Sequence, residues 1–336
     1  MIQRTVCLIA RDTDACRNQA IEKHLMDTLP DATAILFLWQ NRQAVSIGCR
    51  QDPWAECAIG AFLSSGGQLN RRLSGGGALY QDMGVLNLSI SLPKNEFDIP
   101  RQLSIIGMAA GAFGVQAASR GRGTLTASGR KFSASAYYKH GSAALHHGTL
   151  LVSADLTLMD QCLTTDDRKL ARSGRLRPSD RLINLGRLNP AVTIDRMEAS
   201  LCSAFARCYG SDPVMLDERL LDGASLEYTA AQFANNAWLF PREERFSIQF
   251  SELFPWGSVT VRLRTEHGVI RAARIDTDAM EARLFAPIEQ ALTGAPCLIS
   301  GMMARIDQKL ALLRDPHLIQ IAEDVKTLIR RQLRGR

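Results

Sequence analysis

Alternating and continuous apolar runs, interleaved with a few stretches of helical period, mark the chain as a mixture of strands and helices. Thr5 to Ala10 reads as a first strand. Behind it Ile21, Leu25 and Leu29 recur every four residues, with Thr13 and Asp14 as candidate caps and Pro30 as the stop, which predicts an amphipathic helix. From Ala34 to Gly48 two strand-like runs flank a polar turn at Gln40 to Gln43, the pattern of a hairpin. Leu86, Leu88, Ile90 and Leu92 alternate with Asn87, Ser89 and Ser91, which predicts a half-buried strand.

Residues 101–114 read as a helix weakened by Gly107 and Gly111. The run "TLTASGRKFSASAYY" predicts strands around a turn at Ser128 and Gly129, and "ALHHGTLLVSADL" another strand before a helix near Leu156 to Leu163. Residues 164–187 form a long polar connection carrying Arg168, Lys169, Arg172, Arg175, Arg177, Arg181 and Arg187 with Gly174 and Pro178, a length that usually signals function or disorder. Composition shifts again at "FPREER", Phe240 to Arg245. Beyond it "GSVTVRLRTEHGVIRAARI" predicts a hairpin with Val259, Val261 and Leu263 in register and a turn at His267 and Gly268, followed by helical sequence. The pattern places a domain boundary near residue 245, giving a larger domain over 1–245 and a small C-terminal domain over 246–336.

At 336 residues, 46% hydrophobic and 22% charged, the composition is globular, and the absence of any run near eighteen apolar residues excludes a membrane span. The N-terminus lacks a secretory signal, so a cytoplasmic location is expected. Eight cysteines without a CxxC pair argue against a zinc site or a disulfide framework and read as small buried hydrophobes. The net charge of +6 points to an anionic ligand or partner.

Three segments carry candidate chemistry. In "NRRLSGGGALYQD", Asn70 to Asp82, consecutive glycines let the backbone approach a ligand while Arg71 and Arg72 supply cations suited to phosphate or carboxylate. The spacing fits neither a Walker A loop nor GxGxxG, and a simple glycine turn between strands stays open. In "GRKFSASA", Gly129 to Ala136, Lys131 stands beside small residues that leave room for a ligand, and a lysine there can stabilise charge on a reacting oxygen; a solvated turn lysine is the plain alternative. In "HHGTLL", His146 to Leu151, the two histidines fall on opposite faces of a strand, so at most one lines a given cleft, and neither has metal-ligand spacing.

Taken in order, "NQAIE" at 18–22, "LFLWQN" at 36–41, "SIGCRQDPWAEC" at 46–57, "RRLSGGGALYQD" at 71–82, "GRKFSASA" at 129–136, "HHGTLL" at 146–151, "RLINL" at 181–185 and "LFPWGSVTVRL" at 253–263 resemble the lipoate-protein ligase A family of the biotin and lipoate ligase superfamily. The resemblance covers nearly the whole chain. It implies an α/β (α+β) fold, a large catalytic domain of mixed and antiparallel sheet flanked by helices with a small C-terminal α/β domain. It implies that lipoate attacks the α-phosphate of ATP to give lipoyl-AMP, and that an acceptor lysine then takes the lipoyl group. Lys131 is the implied catalytic residue; Arg72, Gly77, Ala78, Leu79, Tyr80 and Lys131 would bind ATP; Lys131, Ser74, Gly75, Gly76, His147 and Gly148 would bind lipoate. Arg181 would belong to an adenylate loop within the basic segment. Mg²⁺ would share the phosphate charge, with no residue assigned as a metal ligand. The implied partners are apo-lipoyl domains of E2 subunits and the glycine cleavage H protein, with no nucleic acid, no membrane and a monomeric chain.

The chain departs from the family pattern at several positions. Gln81 stands where a histidine is usual, Cys49 where an arginine follows "IG", Asp52 where an asparagine precedes the proline, and Gly123 and Thr124 where an Asn-Asp pair is usual. Gly129 replaces an acidic residue and Ala134 a glycine. Two further readings follow: a lipoyl or octanoyl transferase lacking adenylation, or a non-catalytic acyl-binding or partner-binding homologue.

Overall fold

The computed structural model describes residues 1–121, 123–164, 177–240 and 246–333. Two compact units emerge: one comprises Met1–Ile47, Pro53–Arg72 and Ala78–Leu239, the other Gly48–Asp52, Leu73–Gly77 and Phe240–Arg336. The expected boundary near 245 falls on residues 241–245, outside the described residues.

The larger unit begins with β1 (Arg4–Ile9), α1 (Ala15–Asp27), β2 (Thr33–Trp39), β3 (Gln43–Ile47), α2 (Pro53–Glu56), α3 (Ile59–Ser64), β4 (Gln68–Arg71), β5 (Leu79–Asp82) and β6 (Val85–Pro93). It continues with α4 (Ile99–Gly111), β7 (Ala118–Arg120), β8 (Thr124–Ala127), β9 (Arg130–His140), β10 (Ala143–Leu151), α5 (Leu156–Cys162), α6 (Leu185–Leu188), α7 (Ile194–Tyr209), β11 (Val214–Met215), α8 (Gly223–Phe233) and α9 (Asn236–Leu239). An eight-stranded mixed sheet runs β11-β1-β2-β6-β10-β9-β8-β7, and a separate small sheet runs β4-β3-β5. Local chemistry starts the helices: Asp14 accepts from Arg17 N at 2.8 Å to cap α1, and Asp98 accepts from Arg101 N at 3.1 Å to cap α4. Leu36, Leu88, Ile90 and Leu150 on one face of the large sheet pack against Ile105 and Ile106 of α4 and Leu201 and Phe205 of α7. The opposite face meets α1.

Three expectations from the sequence need correction. The cysteines are not all buried hydrophobes: Cys49, Cys202 and Cys208 are partly exposed and Cys297 is exposed. The runs at 34–48 do not form a hairpin: β2 pairs with β1 and β6 in the large sheet, whereas β3 pairs with β4 and β5 in the small one. Their connection is no free turn, because Asn41 is buried and its amide is bonded to Asn18 and Gln81, which carries the chain from one sheet to the other. The strand β6 is buried along both faces rather than one; Asn87, Ser89 and Ser91 are all hidden. It lies between β2 and β10, so its polar side chains must find partners inside the protein.

The turn at Ser128 (φ 50°) and Gly129 (φ 74°) has two successive left-handed residues, the backbone that matches strand twist in a tight hairpin. His267 (φ 49°) and Gly268 (φ 74°) repeat it in the smaller unit.

That smaller unit holds an antiparallel sheet of β12 (Ile248–Phe254), β13 (Gly257–Glu266) and β14 (Val269–Thr277), with α10 (Phe285–Leu292), α11 (Ile299–Lys309) and α12 (Pro316–Leu333). Val259, Val261 and Leu263 line its core with Phe285, Ile288 and Val325. The short segments 48–52 and 73–77 are bonded into this unit. Thr277 N donates to Arg50 O at 3.0 Å, Gly76 N donates to Ala279 O at 3.0 Å, and Arg262 pairs with Asp52 at 3.2 Å and also with Asp276.

Candidate functional site

Helix α1 is the hub of the candidate site in the larger unit. Asn18, Gln19 and Glu22 form a polar stripe beside its apolar face, and all three are buried. Gln19 donates to Arg71 O at 2.7 Å and accepts from Asn70 at 2.8 Å, tying the helix to β4. Asn18 donates to Asn41 Oδ1 at 3.0 Å, Asn41 to Gln81 Oε1 at 2.7 Å, and Gln81 to Asn87 Oδ1 at 2.6 Å. This chain of buried amides joins α1, β5 and β6, with each Gln81 amide atom used once. A chain of amides bonded one to the next ties together the elements it crosses.

One turn beyond Asn18, the Glu22 carboxylate meets Nδ1 of His147 at 3.0 and 3.1 Å. A carboxylate on Nδ1 fixes the orientation of the imidazole ring. His146, the adjacent residue, faces the other way: it is fully buried beside Tyr137, and among the described residues neither ring nitrogen has a hydrogen-bond partner. Burial first, and the neighbouring His147 second, push its pKa down to about 3. His146 is therefore a neutral core residue, and His147 is the one that looks toward α1.

Lys131 reaches that same face through a register shift. Thr126 pairs with Lys131 but Leu125 pairs with Ser133, so β9 carries one extra residue at Phe132. Phe132 packs in the core with Leu150, and Ser133 pairs with Leu150, so two successive side chains share the helix-covered face. The bulge restores Lys131 to the face that carries Ala134, Ala136 and His147, a use of extra residues common beside functional sites. Lys131 is half-buried, and its carbonyl accepts from Ile183 N at 3.0 Å. Burial first, and repulsion from Arg181 second, push its ammonium pKa down to about 8. Arg181 itself is exposed, on a short 3-10 turn. The rest of the expected adenylate loop at 165–176 lies outside the described residues.

Arg72 follows β4 and is buried, with Nη1 donating to Ser46 O at 2.9 Å. Ser46 pairs with Asn70 on one side and Leu79 on the other, so the small sheet sets Arg72 beside β5. Within β5, Tyr80 is buried opposite Val45, and burial followed by the charge of Asp82 raises its phenol pKa. Arg71 has a structural post, donating to Leu239 O at 2.7 Å. Gly148 is accounted for by space: a Cβ there would lie 2.8 Å from Ala134 O and 3.1 Å from Ser135 Oγ, on the face opposite His147. A cleft of about 420 Å³ lined by Arg130, Asp160, Arg177, Asp180 and Arg187 also opens in this unit, and Ile183, which donates to Lys131 O, is part of its wall.

The three glycines differ from one another. In the smaller unit a Cβ on Gly75 would come within 2.3 Å of Ala279 O, and Gly76 has φ +91°. A Cβ on Gly77 would meet nothing within 4 Å, so packing does not explain that glycine. Beside them Ser74 O accepts from Cys49 N at 2.9 Å.

Motif reasoning missed Glu22, although a polar stripe at Asn18, Gln19 and Glu22 bordering Ile21 and Leu25 was visible on the predicted helix. It also missed that Gln81 is a joint in a buried chain. Among the described residues no group of three or more His, Cys, Asp or Glu side chains could hold a metal ion, and no helix is long and apolar enough to cross a membrane.

Comparison with known proteins bears on most of the chain. The family model described as the lipoyl protein ligase A/B catalytic domain matches residues 14–206, and that described as the bacterial lipoate protein ligase C-terminus matches residues 243–311. Among solved structures, LipL1 of P. falciparum in complex with lipoate is 21% identical, with a TM-score of 0.84 over 96% of this chain and 99% of that chain. A bipartite lipoate protein ligase of Thermoplasma acidophilum, described with its E2 lipoyl domain, is 20% identical, with a TM-score of 0.61 over 73% of this chain and 100% of that one. A lipoate-protein ligase A bound with ATP is 20% identical, with a TM-score of 0.57 over 71% and 98%. At these identities the likeness establishes a shared fold.

Proposed function

The chain belongs to the lipoyl protein ligase A/B family, and from that premise we propose that it is an ATP-dependent lipoate-protein ligase acting on apo-lipoyl domains. The lipoate carboxylate attacks the α-phosphate of ATP and pyrophosphate leaves. The ε-amine of an acceptor lysine then attacks the mixed anhydride of lipoyl-AMP, releasing AMP. Both steps need charge neutralisation and alignment rather than an enzyme nucleophile. Arg72, with the backbone of Ala78, Leu79 and Tyr80, holds the nucleotide; Lys131 contacts the α-phosphate and the acyl carbonyl; His147, oriented by Glu22, lines the acyl site.

The observation that carries the reading is Lys131 itself. It is turned by the bulge onto the His147 face, where burial and the nearby Arg181 hold its ammonium pKa down to about 8. A partly desolvated cation acts more strongly on a developing oxyanion than one in bulk water. Magnesium would share the charge of the nucleotide's phosphates, and no step is routed through the ion. Lipoyl domains of E2 subunits and of the glycine cleavage H protein are the proposed acceptors, and the net charge of +6 favours encounter with acidic ones.

A second reading rests on Gly123 and Thr124. Gly123 offers its backbone carbonyl to Ser135 N at 2.7 Å and no carboxylate, which suits a transferase that takes a preformed adenylate. Two parallel reactions separate them. The full chain is given apo-lipoyl domain with ATP, magnesium and lipoate in one tube and with synthetic lipoyl-AMP in the other, and acceptor mass is followed. The ligase modifies the acceptor in both; the transferase does so only with lipoyl-AMP; an unmodified acceptor in both rejects both readings.

A further inference from the structure

The sulfur atoms of Cys7 and Cys202 lie 3.0 Å apart. Cys7 sits in the middle of β1 and is fully buried; Cys202 is on α7 and half-buried. A disulfide bond is about 2.05 Å long, so closure requires an approach of about 1 Å between a strand and a helix already packed together. From this geometry we infer that Cys7 and Cys202 form a reversible dithiol–disulfide pair, a redox-operated clamp between β1 and α7.

The two thiols have different parts. Cys202 is reached from solvent, and its hydrogen bond with the Cys7 thiol lowers its pKa, which makes it the attacking sulfur. The same hydrogen bond first, and burial second, push Cys7 up, so it serves as the resolving thiol. Glu198, on the preceding turn of α7, opposes thiolate formation, and its charge is partly offset by Arg11 at 3.1 Å. With hydrogen peroxide as oxidant, the Cys202 thiolate attacks a peroxide oxygen to give a sulfenic acid, and hydroxide leaves and is protonated to water. Cys7 then attacks the sulfenic sulfur, expelling a second water as the disulfide forms. Two thiols are oxidised by two electrons, and one hydroperoxide is reduced. Cys16 and Cys57 contrast with this pair: burial pushes each thiol up to about 11, which keeps it protonated and slow to react.

Cys7 pairs with Leu36, which pairs with Ile90 and so with His146. The clamp therefore lies on the core face of the sheet, opposite His147 and Lys131. It joins positions 195 residues apart, and a cross-link over so long a loop stabilises mainly by restricting the unfolded chain. Oxidation is thus expected to harden the fold without entering the acyl-transfer site.

The test treats the reduced full chain with a small excess of hydrogen peroxide. Titratable thiols should fall from eight by two, a peptide linking residues 7 and 202 should appear on mapping, and Tm should rise by about 5 °C or more. Dithiothreitol should reverse all three. Cys202→Ser should abolish the rise; peptide mapping of the unaltered chain decides the matter if Cys7→Ser fails to fold. Loss of thiols mapping to other cysteines, or over-oxidation of Cys202 with no link to Cys7, would overturn the inference.

Discussion

The Glu22 carboxylate lies 3.0 Å from Nδ1 of His147, although the two residues are 125 positions apart and both are buried. The contact fixes α1 against β10 and holds an imidazole on the face that also carries Lys131. Glu22→Ala removes the carboxylate from a buried imidazole, a loss of about 1–3 kcal/mol in stability. Glu22→Gln keeps shape and a hydrogen bond, so it should lose less stability while raising KM for the acyl substrate. Urea unfolding and steady-state kinetics of both variants check this; equal KM in all three proteins would remove His147 from the acyl site.

Lys131→Met separates function from packing. The folded-state pKa near 8 lies below the 10.5 of an unperturbed lysine, so between those values the unfolded chain binds more protons and stability rises with pH. Below pH 8 the buried charge is a cost. The neutral variant should be at least as stable at pH 7 as the parent and lose acceptor modification by about a hundredfold or more. In the parent, activity should decline as pH rises through about 8, and a variant that retained full activity would exclude Lys131 from the chemistry.

The glycine triad separates steric need from ligand approach. Gly75→Ala drives a Cβ to 2.3 Å from Ala279 O and should destabilise by about 2 kcal/mol or more. Gly77→Ala meets nothing within 4 Å, so Tm should stay within a degree or two while nucleotide affinity falls. Calorimetric Tm and ATP titration give both quantities, and an unchanged affinity in Gly77→Ala would mean that no ligand approaches there.

His146 supplies an acid-sensitive component of stability. Its folded pKa of about 3 lies below the ordinary 6.5, so the unfolded chain takes up a proton that the folded chain refuses. Stability therefore falls as pH drops from 6.5 toward 3, by at most about 1.4 kcal/mol per pH unit from this group. His146→Leu should flatten that decline, as denaturant unfolding at pH 7, 5 and 4 would reveal; an unaltered slope would place the acid-sensitive group elsewhere.

Much of the fold could be read locally. Asp14 as a cap, the left-handed turns at Ser128–Gly129 and His267–Gly268, and the strands that carry Lys131 and His147 all follow from short-range chemistry. The false hairpin at 40–43 and the underestimated burial of Asn87, Ser89 and Ser91 share one cause. Both depend on which distant strands lie alongside, information absent from local periodicity. The same holds for the bulge at Phe132, which depends on β8, and for the Glu22–His147 pair. Polar residues inside an apolar pattern were the readable trace of that long-range order.

The most direct test of the central claim is peptide-level mass spectrometry of an apo-lipoyl domain after incubation with the full chain, ATP, magnesium and lipoate. One lipoyl group on one lysine ε-amine of the acceptor is expected, and none when Lys131→Met replaces the parent. An acceptor left unmodified by the parent, under conditions where a working lipoate ligase modifies it, would contradict the claim.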